Sequence, residues 1–257
     1  MSLLLVEDLS KEFGGVHAVQ NLTFAVDSGD IHSVIGPNGA GKTTLLNLLT
    51  GIYRPTAGRV RFGDEDIVGL PPYKLAARGM SRTFQNLQIF FNMTALENVM
   101  VARHLHVNTG ILPALFRVGG LGRSEAACRE KAAELLDFVG LGDYLSAHAD
   151  AMPYGALKRL EIARALATEP KLLLLDEPAA GLNRVETQRI DDLIRKVAES
   201  GVTVILVEHD MRLVMAVSDH ILVLDYGRKL AEGTAAEVRA NPDVIAAYLG
   251  AQAVDGD

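Results

Sequence analysis

The sequence predicts an α/β fold with a buried, largely parallel sheet, and three segments support this prediction. Residues 31–35 are a short, mostly apolar run, followed by a glycine-rich stretch and an apolar helical pattern. Residues 172–175 are consecutive leucines, and residues 202–207 are another mostly apolar run. The consecutive leucines are typical of a strand in a parallel sheet, because helices cover both of its faces, and the other two runs indicate further short buried strands.

The glycine-rich stretch fits the phosphate-binding pattern of glycine, four residues, then Gly-Lys-Ser/Thr. Its glycines allow successive N–H groups to point inward, and the following helix N-terminus adds positive potential. Lys42 is then placed on the β- and γ-phosphates, and the Thr43 hydroxyl on Mg²⁺. A chance glycine-rich turn before a lysine would lack the flanking strand and helix, so we predict nucleoside triphosphate binding. This phosphate loop (residues 36–44) consists of Gly36, Pro37, Asn38, Gly39, Ala40, Gly41, Lys42, Thr43 and Thr44.

Composition limits the class of protein. The 257 residues suffice for one or two globular domains, and 49% of them are hydrophobic. The apolar runs are shorter than the roughly 18 residues of a membrane helix, and the first residues lack the features of a secretion signal. Cys128 is the single cysteine, which excludes an internal disulfide and fits a reducing compartment. A net charge of −7 argues against non-specific nucleic-acid binding, so we expect an acidic cytoplasmic protein.

The N-terminal region predicts an antiparallel β layer into which the phosphate loop is set. Residues 3–6 and 22–26 predict two short strands, the second with clean alternation, and residues 59–62 predict a third. Phe13 lies between the first two strands in a small glycine-containing loop, where general burial preferences favour a core position.

Helical patterns dominate the middle of the chain. Helices are predicted from residue 94 to about residue 105 and from about residue 124 onward. Cys128 lies on the apolar face of the second helix, which indicates a small core residue and not a nucleophile. His104 and His106 would point to different faces of a helix, so we interpret them as solvated side chains and not as metal ligands.

Charged residues follow two of the predicted buried strands. Asp176 and Glu177 end the leucine run, and His209 follows residues 202–207. Open α/β sheets bind their ligands at the carboxyl ends of their strands. Asp176 is therefore placed to hold Mg²⁺ through its water shell, Glu177 to orient or deprotonate the attacking water, and His209 to contact the γ-phosphate. The alternative is a capped strand end with two solvated carboxylates and a structural histidine.

Later segments add a helix start, a hairpin and a C-terminal pair of helices. Pro153 and Gly155 mark a turn before a strong helical pattern, where unpaired N–H groups can hold an anion. Residues 221–231 predict a hairpin with its turn at residues 225–228. A capping box opens a short helix at residue 234, and a last helix is predicted to run from residue 242 to Gly250.

Taken in order, these segments resemble the nucleotide-binding subunit of ABC transporters, over nearly the whole chain. Within that family, longer stretches look like the larger ATP-binding subunit of bacterial branched-chain amino-acid importers, as does the insertion at residues 108–123. The family motifs match the phosphate loop, Gln85, Tyr154 with Gly155, Asp176 with Glu177, residues 180–183 and His209. The narrower resemblance rests on residues 82–85, 154–155, 159–164, 178–183, 208–211 and 241–250.

The resemblance implies a P-loop NTPase fold of the ABC cassette type, with a RecA-like core, an antiparallel β subdomain and an inserted α-helical subdomain. Residues 1–257 would form a single ABC ATPase domain. Residues 1–85 and 160–233 would be the catalytic core with the β subdomain, residues 86–159 the helical subdomain with the signature, and residues 234–257 a C-terminal helical extension.

The resemblance also implies ATP hydrolysis that powers an importer, with ATP and Mg²⁺ bound between two cassettes. An identical or paralogous second cassette would close head to tail, so that each ATP lies between one phosphate loop and the other signature helix. Glu177, His209 and Gln85 would be catalytic, and Gln85 would link the attacking water to the membrane partner. Phe13 would stack on adenine, Tyr154 and Gly155 would bind nucleotide, and the metal ligands would be Thr43, Gln85 and Asp176.

The same resemblance implies which partners the chain binds. We expect it to bind transmembrane permease subunits directly and a periplasmic binding protein indirectly, and we expect no nucleic-acid partner. The chain would be peripheral, at the cytoplasmic face of the inner membrane. Phe90 and Phe91 match the surface that receives a coupling helix of the permease, and core packing is the equal alternative.

The segment at residues 152–156 matches the position of the family's signature motif, Leu-Ser-Gly-Gly-Gln, but differs from it in sequence. The five positions are occupied by Met152, Pro153, Tyr154, Gly155 and Ala156. The serine hydroxyl is therefore absent, and Pro153 has no N–H to donate. We expect a weaker ATP-driven closure with retained hydrolysis. Three alternatives remain: a cassette of another ABC system (lipopolysaccharide export or urea/amide uptake), a non-transport ABC ATPase of the DNA-repair or translation type, and a regulatory ATP-binding module without catalysis.

Overall fold

A computed structural model describes residues 2–103 and 121–254, with the side chains of residues 121–124 and 249–254 left out. The described strands form two sheets. The strands are β1 (Ser2–Phe13), β2 (Val16–Asp27), β3 (Ile31–Ile35), β4 (Ala57–Phe62), β5 (Glu65–Asp66), β6 (Met80–Arg82), β7 (Leu172–Asp176), β8 (Thr203–Val207), β9 (His220–Asp225) and β10 (Arg228–Gly233). One sheet is antiparallel and has the order β2-β1-β4-β5. The other has the order β10-β9-β3-β8-β7-β6, in which β10 is antiparallel to β9 and the other pairs are parallel.

Helices pack on this framework. The described helices are α1 (Lys42–Leu49), α2 (Pro72–Ala76), α3 (Ala95–Ala102), α4 (Leu121–Phe138), α5 (Tyr154–Leu166), α6 (Arg184–Glu199), α7 (Met211–Val217), α8 (Ala235–Ala240) and α9 (Pro242–Val254). The apolar sides of α3, α4 and α5, which lie between β6 and β7 in the chain, share one core that includes Val99, Leu136 and Leu160. Cys128 on α4 is buried, as predicted, and its Sγ lies 3.9 Å from the carbonyl oxygen of Met100 on α3.

The leucine run confirms the prediction of a strand that is buried on both faces. Leu173 and Leu175 pack into the core that β7 shares with α5 and α6, while Leu172 and Leu174 pack into the core shared with the antiparallel sheet. All four side chains are fully buried. Successive side chains of a strand point to opposite faces, so one strand supplies both cores.

The N-terminal strands are longer than predicted. β1 and β2 pair from Ser2 opposite Asp27 to Phe13 opposite Val16, with register shifts that break the alternation. Asp8 and Asn21 have positive φ values of 47° and 45° near these shifts. Such bulges interrupt the two-residue period, so periodicity alone shows shorter strands.

The placement of the phosphate loop also corrects an expectation. The loop follows β3, and β3 pairs with β8 and β9 in the six-stranded sheet instead of the antiparallel layer. Phe13 is the last residue of β1 and not a loop residue.

The helix bounds differ in part from those predicted. Helix α4 begins at Leu121 instead of near residue 124, and α9 continues beyond Gly250 to Val254. His104, His106 and most of the insertion lie outside the described residues. Within the described part of the chain, no helix is long and apolar enough to cross a membrane.

His32 on β3 makes stability depend on pH. Its side chain is 2% exposed, and its Nε2 has no hydrogen-bond partner among the described residues. Burial, with a smaller effect of His220, lowers the pKa of His32 to about 4. The unfolded chain therefore binds a proton between pH 6.5 and pH 4 that the folded chain does not, so stability falls as the pH decreases through this window.

We predict that His32→Leu removes part of this pH dependence. From about pH 7.5 to about pH 5, the parent should lose about 2 kcal/mol more unfolding free energy than the variant. Urea unfolding at both pH values measures the difference, with equal m values as the control for a common unfolded state. Equal losses in the two proteins would show that His32 is not the titrating group.

Candidate functional site

The phosphate loop needs glycine at two positions because the neighbouring backbone is too close for a side chain. Gly36 has a φ of 151°, and a Cβ atom there would overlap the carbonyl oxygen of Leu224. Gly41 has a φ of 101°, and a Cβ atom there would meet the carbonyl oxygen of Ala18. The loop is therefore held against β9 and β2, and α1 begins directly after Gly41.

A cavity of about 530 Å³ opens over the loop. One group of lining residues belongs to the phosphate loop, together with Glu177. The other group comes from the start of β2 and from the turn between β9 and β10. The lining residues are Val16, His17, Ala18, Gln20, Asn38, Gly39, Ala40, Gly41, Lys42, Thr43, Thr44, Glu177 and Tyr226.

Lys42 is folded back onto the loop. Its Nζ donates hydrogen bonds to the carbonyl oxygens of Gly36 at 2.7 Å and Pro37 at 3.0 Å. Burial lowers the pKa of Lys42, while the carboxylates of Glu177 and Asp176 act in the opposite direction. A phosphate group offers charged acceptors in place of the two carbonyls, and charge-assisted hydrogen bonds are about twice as strong as neutral ones.

The two acidic residues and the histidine lie at neighbouring strand ends. Asp176 pairs with Val207 across β7 and β8, and the N–H of Glu177 donates to the Val207 carbonyl at 2.9 Å. The side-chain amide of Gln85 donates through Nε2 to Glu177 Oε2 at 3.3 Å. His209 follows β8, and its side chain is 65% exposed. The structure thus brings Gln85, Glu177 and His209 to one edge of the sheet.

Arg82 supports Asp176 from the last residue of β6. Its guanidinium donates to Asp176 Oδ2 at 2.8 Å, and both side chains are only 6% exposed. It also donates to the side chains of Asn47 and Thr50 on the far end of α1. The sequence analysis missed this contact, since β6 and β7 are separated by about 90 residues and only their pairing brings Arg82 to Asp176.

Glu208 joins two loops of the site. Its carboxylate is 1% exposed and accepts hydrogen bonds from the N–H of Ala179 at 2.8 Å and of His209 at 3.1 Å. Burial raises the pKa of Glu208, and the two N–H donors act against this rise. The segment after Glu177 and the segment around His209 are thereby fixed to one side chain. Sequence reasoning assigned Glu208 no role, although a carboxylate at the end of a buried strand was a usable signal.

The helix that carries the signature-like residues is tied to the segment around Gln85. Lys158 is 2% exposed, and its Nζ donates to the carbonyl of Gln85 at 3.4 Å. Glu161 accepts a hydrogen bond from the N–H of Phe84 at 3.3 Å, and burial raises the pKa of this carboxyl. Two buried side chains therefore connect α5 to residues 84 and 85.

The signature-like residues lie at the start of α5. Pro153 is the N-cap, with φ −60° and ψ 150°, and Tyr154 is 45% exposed. A Cβ atom on Gly181 would lie 3.3 Å from the Tyr154 ring, and one on Gly155 would meet the Glu186 carboxylate. The described lining of the phosphate-loop cavity includes none of residues 152–156. The structure therefore does not bring Tyr154 and Gly155 to the phosphate loop of the same chain.

Aromatic residues predicted for nucleotide and partner contacts have defined surroundings. Phe13 is 41% exposed and makes an edge-to-face contact with Tyr53 at 5.2 Å between ring centroids, with Lys11 above its ring. Phe90 and Phe91 are 42% and 46% exposed, so core packing does not explain them.

The oxygen donors at this edge suit Mg²⁺. This ion keeps several waters and binds proteins through one or two carboxylates together with substrate phosphates. Asp176 offers one carboxylate and Thr43 an exposed hydroxyl, while Gln85 donates through its nitrogen and leaves its oxygen as acceptor. Among the described residues, no group of three or more His, Cys, Asp or Glu side chains could hold a metal by itself. The site thus fits an ion that is shared with a phosphate ligand.

A phosphate loop between a buried parallel strand and a helix, facing acidic strand ends, defines a P-loop nucleotide-binding protein. The family model described as ABC transporter matches residues 19–180, and a model described as branched-chain amino acid ATP-binding cassette transporter matches residues 228–254. The chain belongs to the ABC transporter family. Its class is that of the ABC ATPases, as the sequence predicted.

Curated relatives and solved structures agree with this assignment. The chain is 50% identical to the high-affinity branched-chain amino acid transport ATP-binding protein BraF of Pseudomonas aeruginosa, over 96% of this chain and 98% of the relative. It is 45% identical to LivG of Escherichia coli, a protein of the same description, with the same coverage. An ATP-binding cassette solved in its ADP conformation superposes with a TM-score of 0.85 and 33% identity, covering 97% of this chain and 99% of that one. The predicted ABC cassette fold is confirmed.

The buried Arg82–Asp176 pair yields a stability prediction. Arg82→Leu leaves a buried carboxylate without its cation, and breaking such a pair costs about 3–5 kcal/mol. Arg78→Leu breaks the exposed pair of Arg78 with Glu65 and should cost about 1 kcal/mol or less.

Chemical unfolding of both variants without nucleotide measures the difference. The double variant Arg82→Leu/Asp176→Leu should recover part of the loss, because no unpaired charge remains buried. Similar small losses for Arg82→Leu and Arg78→Leu would contradict the importance of this pair.

Proposed function

We propose that this chain binds and hydrolyses ATP as the energy-supplying subunit of an importer for branched-chain or related amino acids. The observation that carries the proposal is the sheet edge at which Gln85 contacts Glu177, with Glu177 lining the cavity above the phosphate loop. A carboxylate beside a phosphate site can orient or deprotonate the attacking water. The amino-acid class rests on the match of residues 228–254 and on the substrates that the names of BraF and LivG state.

In this proposal the chain's own groups act in sequence. Lys42 leaves the carbonyls of Gly36 and Pro37 for the β- and γ-phosphates, and the loop N–H groups hold the same phosphates. Glu177 positions the water, and the exposed His209 contacts the γ-phosphate. Thr43, Gln85 and Asp176 would hold Mg²⁺, which supplies charge stabilisation to the phosphates when bound.

A second cassette, identical or paralogous, completes the site in this proposal. Tyr154 and Gly155 do not line the cavity of their own chain, so another chain's α5 would supply them as anion-binding N–H groups. An ATP-binding cassette with 25% identity and a TM-score of 0.76 was solved as a dimer bound to ADP and Pi. We also propose that residues 86–159 form the subdomain that carries this contact.

The remaining partners are permease subunits in the membrane and, through them, a periplasmic binding protein. The exposed rings of Phe84, Phe90 and Phe91 offer an apolar surface next to the Gln85 segment. The chain would lie at the cytoplasmic face of the inner membrane, attached through the permease. The curated relatives described above favour amino-acid uptake over lipopolysaccharide export, urea uptake or a non-transport role.

Glu177→Gln tests the hydrolytic role. We expect Mg²⁺-dependent ATP turnover to fall about 10²–10⁴-fold, because removal of a general base has this effect. Size-exclusion chromatography with ATP should show a stable dimer for the variant. The parent should elute mainly as a monomer, because hydrolysis of ATP makes its dimer transient. Glu199→Gln, the same change at an exposed position of α6, is the control and should keep parental turnover. Unchanged turnover in Glu177→Gln would refute the assignment.

Pro153→Ser tests the weakened signature. Pro153 has the extended backbone of an N-cap, a position that favours serine, so the change fits the fold. One hydrogen bond to a charged acceptor contributes about 1.5–3 kcal/mol, so dimer formation with ATP should tighten about tenfold or more. Pro153→Ala supplies the N–H without the hydroxyl and separates the two contributions. If both variants dimerise like the parent, the signature is not weakened by Pro153.

A further inference from the structure

Tyr226 is an aromatic residue whose position neither the core nor the local backbone explains. It lies in the two-residue turn between β9 and β10, and it is 82% exposed. Its φ is 43°, and that of the following Gly227 is 77°. Two positive φ values define a hairpin turn that favours Asn-Gly, and a bulky aromatic residue is unfavourable there. Residues that break a local preference without benefit to the fold are often retained for function.

The turn is attached directly to the phosphate loop. The N–H of Gly227 donates to the carbonyl of Ala40 at 3.0 Å, and the carbonyl of Gly227 accepts from the N–H of Gln20 at 2.7 Å. The guanidinium of Arg228 donates to Gln20 Oε1 at 2.8 Å and 3.1 Å. Tyr226 therefore projects from a backbone that is held in place on both sides, so only the side-chain torsions of Tyr226 must be ordered when a ligand binds.

The cavity is lined partly by the phosphate loop and partly by residues outside it, and Tyr226 belongs to the second group, which also contains the polar side chains of His17 and Gln20. The loop N–H groups and Lys42 bind the phosphates. The nucleoside half of a bound nucleotide must then extend over the remaining lining, where Val16, Ala18 and Tyr226 supply apolar or aromatic surface. A phenol ring offers a flat face to a purine, and base–aromatic stacking is favourable for every base because each has a π-face.

We propose that Tyr226 packs against the nucleoside half of the bound nucleotide, as an aromatic contact in addition to the one predicted for Phe13, which is not among the lining residues of the cavity. The inference rests on the proposed nucleotide binding at the phosphate loop. It is independent of Phe13, whose ring is in contact with Tyr53 and Lys11. The contact raises affinity for the base and ribose and leaves the phosphate contacts unchanged.

Tyr226→Asn is the decisive variant because Asn-Gly is the preferred sequence of this turn. The variant should unfold at the same temperature as the parent or at a higher one, so a loss of binding cannot be attributed to misfolding. Calorimetric titration of the full chain with MgADP should show affinity lowered about tenfold. Affinity for pyrophosphate with Mg²⁺, which has no nucleoside, should stay within about twofold of the parent.

Tyr226→Phe provides the matched control because it keeps the ring and loses only the hydroxyl, and it should bind MgADP like the parent. Parental MgADP affinity in Tyr226→Asn would overturn the inference. An equal loss for MgADP and pyrophosphate would also overturn it, since the turn and not the ring would then be responsible. A parent chain that binds neither ligand would refute the proposed function itself, which is a distinguishable result.

Discussion

The parallel pairing of β3, β8 and β7 is the constraint on which the rest of the structure depends. The pairing places Asp176 opposite Val207, and the N–H of Glu177 continues the ladder to the Val207 carbonyl. In a parallel sheet all carboxyl ends lie at one edge. The phosphate loop, the acidic pair and His209 are therefore neighbours although about 170 residues of chain separate the first from the last. A one-residue slip of β7 would turn the side chains of that strand, including Asp176, to the opposite face of the sheet.

Bringing carboxylates to one edge requires buried partners beneath it. Arg82 neutralises Asp176, and backbone N–H groups satisfy Glu208. Lys158 and Glu161 form buried hydrogen bonds with the backbone of Gln85 and Phe84. Buried polar groups are costly unless they are paired, so these contacts limit the positions that the surrounding loops can adopt. The site is thus connected to α5, to the segment after Glu177 and to β8 by side chains that are themselves almost inaccessible to water.

Much of the fold could be predicted from local sequence because the signals there are strong. The phosphate loop, the leucine strand, α6 with its buried face and the β9–β10 hairpin follow from spacing and turn residues. The errors have three different physical causes. Bulges near Asp8 and Asn21 hide the true length of β1 and β2, and a glycine costs a helix only about 1 kcal/mol, so Gly250 alone does not end α9. The assignment of β3 to the six-stranded sheet depends on strand pairing, which is non-local.

For the candidate site too, some features could be predicted from the sequence and others required the structure. The sequence by itself determined which groups are present: a glycine-rich loop with Lys42 and Thr43, carboxylates at the end of a buried strand, and a histidine at the end of the next. These groups lie in short sequence motifs and can be recognised from their spacing. Only the tertiary structure decided what surrounds them, namely Arg82 beneath Asp176, Glu208 between two loops, and Tyr226 in the lining of the cavity over the phosphate loop. Those contacts join residues that are tens to hundreds of positions apart. Strand order and packing bring them together, and no local pattern in the sequence encodes them.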